Sequence, residues 1–243
     1  MAEHGNSDSR PNCFVCPHHQ QTEWSALREA QIQRINKVKV CRNYQPAEVV
    51  FFEGDPCRGV YCIENGLVGI RKAGIDGESV LLKLAHTGDI LGYRPFLSQE
   101  PHRASAEVLK PTSICFVPGA VVRDMLDESP ALGFQFLNRA AKAQGAAEEK
   151  FHQTVTMSGR DRLFHLLLVM KDRYAMVTED NALVLELPIS HKDMAAMIGV
   201  RPESLSRIIR KLEEEGVMTF SGRKVRVFSA DSLLRDFYPE ACR

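Results

Sequence analysis

The apolar rhythm of the chain changes several times between its ends. Residues 1 to 21 are polar and mixed, and show neither helical nor strand spacing; Pro11 and Pro17 bracket Cys13-Phe-Val-Cys16, which reads as a flexible or cofactor-ordered arm. From Thr22 the pattern becomes helical. Trp24, Leu27, Ile32 and Ile35 recur at roughly helical spacing, with Thr22 as N-cap and an end near Val38. Residues 39 to 118 then break into short apolar runs, at Val49–Phe52, Val60–Ile63, Leu67–Ile70, Val80–Leu82, Ile90–Leu91 and Ile114–Val117. Turn signals at Gly54-Asp55, Asn65-Gly66, Asp76-Gly77 and Gly88-Asp89 separate them. Short strands between closely spaced turns predict a small antiparallel barrel or roll.

After Pro118 the texture is helical again. A short helix around Val121–Leu126 precedes Ser129-Pro130, an N-cap followed by proline at the first helical position, and nothing breaks the pattern until about Met157. A helix of roughly 26 residues would be about 40 Å long, more than one small domain needs to cover its core. Its length argues for a partner. Leu137, Ala140, Gln144, Ala147, Phe151 and Thr154 alternate at spacings of three and four, the rhythm of a coiled-coil seam with weak occupants, and Gly145 sits mid-helix. The other reading is a stripe packed on its own β domain.

From Gly159 another helix, carrying Leu163, Leu166, Leu167 and Met170, leads through Thr178–Asn181 to a strand at Leu183–Leu187. Ser190 then caps a helix from His191 to Ile198, Gly199-Val200 makes a tight turn, and a second helix runs from Pro202 to Glu215 with Leu205, Ile208, Ile209 and Leu212 on one stripe. Two short helices around a glycine turn form a helix-turn-helix. Arg201, Glu203, Ser204, Ser206, Arg207 and Arg210 fall off the apolar stripe, on the turns where such helices meet base edges. An arginine fork pairs with two guanine acceptors, glutamate accepts from a cytosine amino group, and serine serves either role. Glu203, Ser206 and Arg207 are therefore assigned to base reading. The run Val217–Phe228 reads as a two-stranded wing turning at Gly222, with Arg223, Lys224 and Arg226 placed for phosphates.

Charge sharpens this picture. The 243 residues carry 31 Lys+Arg and 31 Asp+Glu, so no basic surplus marks the whole chain as a polyanion binder. Between Arg201 and Arg226, however, seven Lys/Arg face four Glu, and the basic charge is local to the helix-turn-helix and wing. The start of the chain shows no apolar run behind basic residues and no segment is long and apolar enough to span a bilayer, so the expected location is the cytoplasm, with no membrane partner. Seven cysteines in such a compartment are expected as core residues, metal ligands or redox thiols, not as structural disulfides. There is no glycine-rich phosphate loop, nucleophile elbow or His-Glu-x-x-His, so no enzyme is expected.

The domain order, with Phe52-Glu-Gly-Asp55, Val60–Gly66, Gly88-Asp-Ile-Leu-Gly92 and Val200–Arg207, resembles the CRP/FNR family of bacterial regulators over residues 22 to 237, and its FNR branch in the recognition helix. The resemblance implies an α+β protein: a β-roll of the cyclic-nucleotide-binding jelly-roll type, a long dimerisation helix and a C-terminal winged helix-turn-helix. The expected boundaries are an arm at 1–21, a sensor roll with flanking helices at 22–128, the dimer helix at 129–157 and the DNA-binding domain at 158–243. The implied partners are double-stranded DNA with TTGAT-like palindromic half-sites, a second copy of the chain, and RNA polymerase. Members that bind cyclic nucleotides carry a glutamate and an arginine where this sequence has Tyr93 and Ala104, with Arg103 one position away. Cyclic AMP is not expected, while Arg103 leaves a small anion open.

In the FNR branch three N-terminal cysteines and one roll cysteine hold a [4Fe-4S] cluster. Cys13 and Cys16 match the leading pair and Cys115 the roll position, but no third N-terminal cysteine stands near residue 21, leaving Cys41, His18 or His19 for the fourth place. Read from the residues alone, Cys13 and Cys16 are an iron-sulfur pair, a zinc or dithiol pair, or an inert pair on an arm. Cys62 and Cys115 alternate with apolar neighbours and also read as small buried hydrophobes, whereas Cys57 and Cys242 read as exposed and incidental. Thiol, zinc and heme sensing remain open beside the cluster. A reading from another class is a redox or metal-binding protein whose DNA domain is degenerate.

Overall fold

The computed structural model describes residues 12–74, 77–177 and 183–228. The expected turn at Thr178–Asn181, Asp76 and Cys242 lie outside them. Two compact units divide inside one long helix, between Gln144 and Gly145, with Val80–Leu82 grouped with the second.

In the first unit the sheet runs β1–β6–β3–β4, with β2 added to β6 and β5 to β3. Its strands are β1 (Val40–Tyr44), β2 (Val49–Phe51), β3 (Gly59–Ala73), β4 (Ser79–His86), β5 (Ile90–Leu91) and β6 (Ser105–Pro118). Helices α1 (Glu29–Val38), α2 (Tyr93–Ser98) and α3 (Gly119–Glu128) flank it. Two apolar clusters form its core. One gathers Trp24, Ile32, Ile35, Val60, Val117, Met125, Leu132 and Phe136; the other gathers Phe51, Ile63, Val68, Val108 and Ile114. The first draws on helices and sheet together, so burying it fixes the segment from Trp24 onward against the roll.

Three details depart from the sequence expectation. The helix expected from Thr22 is two short 3-10 turns, His19–Gln21 and Glu23–Ala26, before α1 begins. Thr22 and Leu27 are extended, and Trp24 and Leu27 are still buried, so the apolar stripe reaches the core without helical continuity. Asn65-Gly66 is no hairpin turn but a bulge inside the 15-residue β3, where the register to β6 shifts on both sides of Asn65. Gly66 has φ +113°, and a Cβ there would lie 2.2 Å from Thr112 Oγ1, so only glycine fits. Finally β1 and the first half of β6 lie outside the expected apolar runs, and pairing with their neighbours makes them strands.

The second unit holds α5 (Gly159–Tyr174), the sheet β7–β8–β10–β9, and α6 and α7. The strands are β7 (Ala175–Val177), β8 (Leu183–Glu186), β9 (Met218–Ser221) and β10 (Lys224–Val227). Helix α6 spans His191–Met197 and α7 spans Pro202–Glu214. Buried Phe164, Leu167, Leu185, Met194, Leu205, Leu212 and Val225 make its core. Helix α4 (Pro130–Thr156) starts at the expected proline. No helix among the described residues is long and apolar enough to cross a membrane.

Candidate nucleic-acid interface and thiol site

The helix-turn-helix is fixed by local chemistry at each joint. Ser190 Oγ accepts from the Asp193 amide at 3.1 Å while Asp193 Oδ2 accepts from the Ser190 amide at 3.2 Å, a capping box that starts α6. Gly199 turns the chain at φ +66°, and Pro202 opens α7 after an extended Arg201. Gly159 lets α5 come close: a Cβ there would meet Ile208 Cδ1 at 3.0 Å and Val200 Cγ1 at 3.2 Å. Leu205, Ile209 and Leu212 are buried beneath α7.

The opposite face of α7 is polar. Arg201, Glu203, Ser206, Arg207 and Arg210 are exposed and Ser204 is half-buried. Ser206 Oγ donates back to the Pro202 carbonyl at 3.0 Å, and Arg210 stands 3.7 Å from Glu214 on a solvated face, a pair that stabilises little. The wing turns at Gly222 with Arg223 and Lys224 exposed at its tip, while Arg226 is partly buried over the Phe228 ring at 5.8 Å. Glu213 Oε1 accepts from the Phe220 amide at 2.9 Å and ties α7 to the wing. The arrangement offers donors in fork geometry and one acceptor on a supported helix, with cations beside it.

On α4 the residues expected at the seam differ in exposure. Leu137 and Phe151 are exposed at 62% and 72%, and Gln144 and Ala147 are exposed, but Ala140 is half-buried and packs against the roll's own core beside Phe136. Phe134 (71% exposed) and Val155 (70%) join the outward apolar positions instead. Phe134, Leu137, Ala141, Gln144, Glu148, Phe151 and Val155 keep an alternating three-four spacing.

The cysteines meet at one place in the roll. Cys62 on β3 and Cys41 on β1 each lie directly opposite Cys115 on β6, so the three side chains share one face in a row. Cys41 and Cys115 are joined by a disulfide, against the expectation that no disulfide would form; the registered strand pair with Cα atoms 4.0 Å apart brings the sulfurs together. A cavity of about 40 Å³ is lined by Cys13, Cys16, His18, His19, Lys39, Cys62 and Cys115. Cys41 does not line it. The Lys39 ammonium donates to Cys13 Sγ at 3.0 Å and the Trp24 indole N–H to Cys62 Sγ at 3.0 Å. Burial pushes the Cys62 thiol up to about 12. Cys57 is half-buried away from this row, and burial raises its thiol too.

Among the described residues no three His, Cys, Asp or Glu side chains stand close enough to hold a single metal ion. Tetrahedral zinc with bonds of about 2.3 Å needs its sulfurs within roughly 4 Å of one another. A four-iron cluster sets each thiolate on a different corner and so takes a wider set. The donor type fits iron and sulfide, with Cys115 freed from Cys41.

Sequence reasoning missed the groups that connect this site to α4. Arg139 of α4 bonds Glu23 and, at 3.0 Å, Asp89 of the Gly88–Gly92 turn; Trp24 packs edge-on against Phe136 at 6.0 Å between centroids. Only tertiary packing brings such neighbours together. At the cyclic-nucleotide positions, Tyr93 is buried against Phe136, and Arg103 is exposed and paired with Glu100 at 2.7 Å. His102 beside it is buried, stacked 3.8 Å from Phe51, and its pKa is lowered by burial.

Comparison with known proteins agrees with this anatomy. A family model described as a cyclic nucleotide-binding domain matches residues 41–129, and one described as a Crp-like helix-turn-helix domain matches residues 161–235. The chain is 22% identical to the regulatory protein HlyX of Actinobacillus pleuropneumoniae, over 85% of this chain and 86% of that protein. It is 21% identical to the transcriptional activator protein FnrL of Cereibacter sphaeroides, over 87% and 86% respectively. The structure of FixK2 from Bradyrhizobium japonicum superposes with a TM-score of 0.67 at 24% identity, covering 81% of this chain and 96% of that one. The c-di-GMP responsive global regulator CLP of Xanthomonas campestris gives 0.73 at 16% identity, covering 84% and 100%. These superpositions carry the fold.

Proposed function

This chain belongs to the CRP/FNR family of DNA-binding transcription regulators, and from that premise we propose that it acts as a cytoplasmic homodimer on a palindromic TTGAT-like operator under a redox signal. The observation that carries the reading is α7: its buried stripe holds the helix while Arg201, Glu203, Ser206 and Arg207 face outward on the first turns. Glu203, Ser206 and Arg207 read bases, Ser204 and Arg210 flank them, and Arg223 and Lys224 hold phosphates. The second copy docks on the outward apolar positions of α4, spacing two recognition helices by about one DNA turn, roughly 34 Å. A promoter-bound dimer then meets RNA polymerase.

Cys13, Cys16 and Cys115 are the residues that would hold a [4Fe-4S] cluster, which when bound supplies oxygen sensitivity. Loss or gain of order at the arm reaches α4 through Trp24–Phe136 and Glu23–Arg139, which bear on the buried start of the dimer helix. Cyclic AMP is not the signal in this reading, because Tyr93 offers no carboxylate for a ribose and Arg103 is paired with Glu100. The Cys41–Cys115 disulfide favours a second reading, thiol-disulfide sensing without metal.

Titration of a TTGAT palindrome and a scrambled duplex across salt concentrations tests the DNA assignment. Arg207→Ala is expected to weaken the palindrome about 10- to 100-fold, corresponding to the roughly 1–3 kcal/mol of one base-reading pair, and Glu203→Ala to lose selectivity between the duplexes. If both variants bind both duplexes as the parent does, α7 does not read DNA.

A further inference from the structure

Two iron-sulfur ligands on the arm and one on the roll leave the site one thiolate short, and the sequence offered Cys41, His18 or His19. The register points elsewhere. We infer that Cys62 is the fourth ligand, that Cys13, Cys16, Cys62 and Cys115 form one four-thiolate centre, and that Cys41 is the competitor that takes Cys115 out of it. This rests on the metal reading above.

Cys62 and Cys115 are a directly opposed pair on adjacent strands, and both line the cavity that Cys13 and Cys16 close from the arm side. Opposed residues of antiparallel strands hold their Cβ atoms about 4.5–5.5 Å apart, close enough for both sulfurs to serve one centre. Cys62 is only partly buried, and its remaining surface lines this cavity. Trp24 donates to its sulfur, as second-layer groups do for metal-bound thiolates. Cys13 packs in the same apolar cluster as Cys62 and receives the Lys39 ammonium, a cation suited to a centre of net negative charge. Cys41 has the opposite placement. It is bonded to Cys115 from the outer side of the row and is absent from the cavity wall, so it can withdraw a ligand but cannot join the set.

Cys115 therefore serves one partner at a time. A dithiol reductant attacks the Cys41–Cys115 disulfide; the S–S bond breaks, both cysteines become thiols with the two protons the dithiol gives up, and the dithiol is oxidised to its own disulfide. Metal binding then displaces the proton of Cys115. In the reverse direction a small-molecule disulfide, the oxidised form of that dithiol, takes the two electrons and two protons of the freed pair and is reduced to the dithiol, which re-forms the Cys41–Cys115 bond and removes one of four ligands.

The test loads the full chain anaerobically with ferrous iron and sulfide, with and without prior dithiothreitol, and reads bound iron and sulfide, visible absorption and thiol labelling with iodoacetamide. Loading of the parent is expected to require reduction and to lower the labelling of Cys13, Cys16, Cys62 and Cys115 relative to the reduced, iron-free chain, while Cys41 and Cys57 are labelled in both. Cys62→Ala and Cys62→Ser should each lower bound iron at least about tenfold, as Cys13→Ser does, whereas His18→Ala and His19→Ala should not. Cys41→Ser should load without dithiothreitol. The labelling pattern needs no variant and so stands even if Cys62→Ser folds poorly. If Cys62 is labelled in the loaded parent, or Cys62→Ala keeps its iron and spectrum, Cys62 is not a ligand although the metal reading survives. If the reduced parent takes up no iron yet binds DNA, the metal reading itself falls and this assignment with it.

Discussion

Helices α4 and α7 both turn a long exposed face to solvent, yet they are supported in opposite ways. Under α7 three apolar side chains, Leu205, Ile209 and Leu212, are buried along its whole length, and the outward face carries charge and hydroxyls. Under α4 only Leu132 and Phe136 are buried, both in the first two turns, and the outward face carries Phe134, Leu137, Phe151 and Val155. A held helix with a polar face presents side chains to a polar ligand. A helix held at one end, with large apolar groups facing out, lacks the surface that would complete it, because apolar area of that size stabilises once it leaves water. On the function proposed above, the first is a reading head and the second half of an interface.

The strongest way to break this contrast is to remove support from α7. Leu212→Ala deletes a fully buried side chain, and such truncations cost about 2–5 kcal/mol including the cavity left behind. Urea unfolding followed separately by operator binding and by fluorescence of Trp24, which lies in the roll, should show the winged-helix unit lost at lower denaturant while the Trp24 transition stays in place. Coincident shifts of both signals would mean that α7 is not held by its own unit alone.

A middle-sized effect tests α4. Phe151→Ala removes a side chain that is 72% exposed, so the monomer's stability should move by no more than about 0.5 kcal/mol. Buried in a dimer, an aromatic anchor is worth about 1–3 kcal/mol, and sedimentation equilibrium should show dimerisation weakened about 10- to 100-fold. Ala140→Ser, on the inward side, should leave the dimer constant alone. Equal dimer constants for Phe151→Ala and the parent would place the interface elsewhere.

The sequence was most readable where local chemistry decides structure. Ser190 with Asp193, Gly199, Pro202 and the Leu205–Leu212 stripe each announce their roles within four residues, and the helix-turn-helix follows from them. The roll was less readable. Its turns at Gly54 and Gly88 showed, but β3 runs through Asn65-Gly66, because pairing with β6 absorbs the extra residue as a bulge. The thiol row was illegible for the same reason: Cys41, Cys62 and Cys115 lie far apart in the chain, and only strand register sets them side by side. Ala140, expected on the seam, is half-buried against the roll core. A stripe stepping 137, 140, 144 and one stepping 137, 141, 144 are both helical, and the roll core beside Phe136 decides between them.

Gly145 gives the smallest effect and the finest cut. It lies at the point where α4 passes from one compact unit to the other, and an added Cβ would meet nothing within 4 Å in the monomer. In a helix interior glycine costs about 0.8–1.0 kcal/mol relative to alanine, so Gly145→Ala should raise the stability of α4 by about that much, read as a shift in thermal midpoint. Residue 145 is one step beyond Gln144 in the outward series, on the flank of the interface and not its centre. The dimer constant should therefore stay within about twofold of the parent, a change below roughly 0.5 kcal/mol. A dimer weakened tenfold by one methyl group would instead put Gly145 at the closest approach of the two helices, and the contrast with α7 would then rest on a backbone contact and not on the exposed aromatic residues.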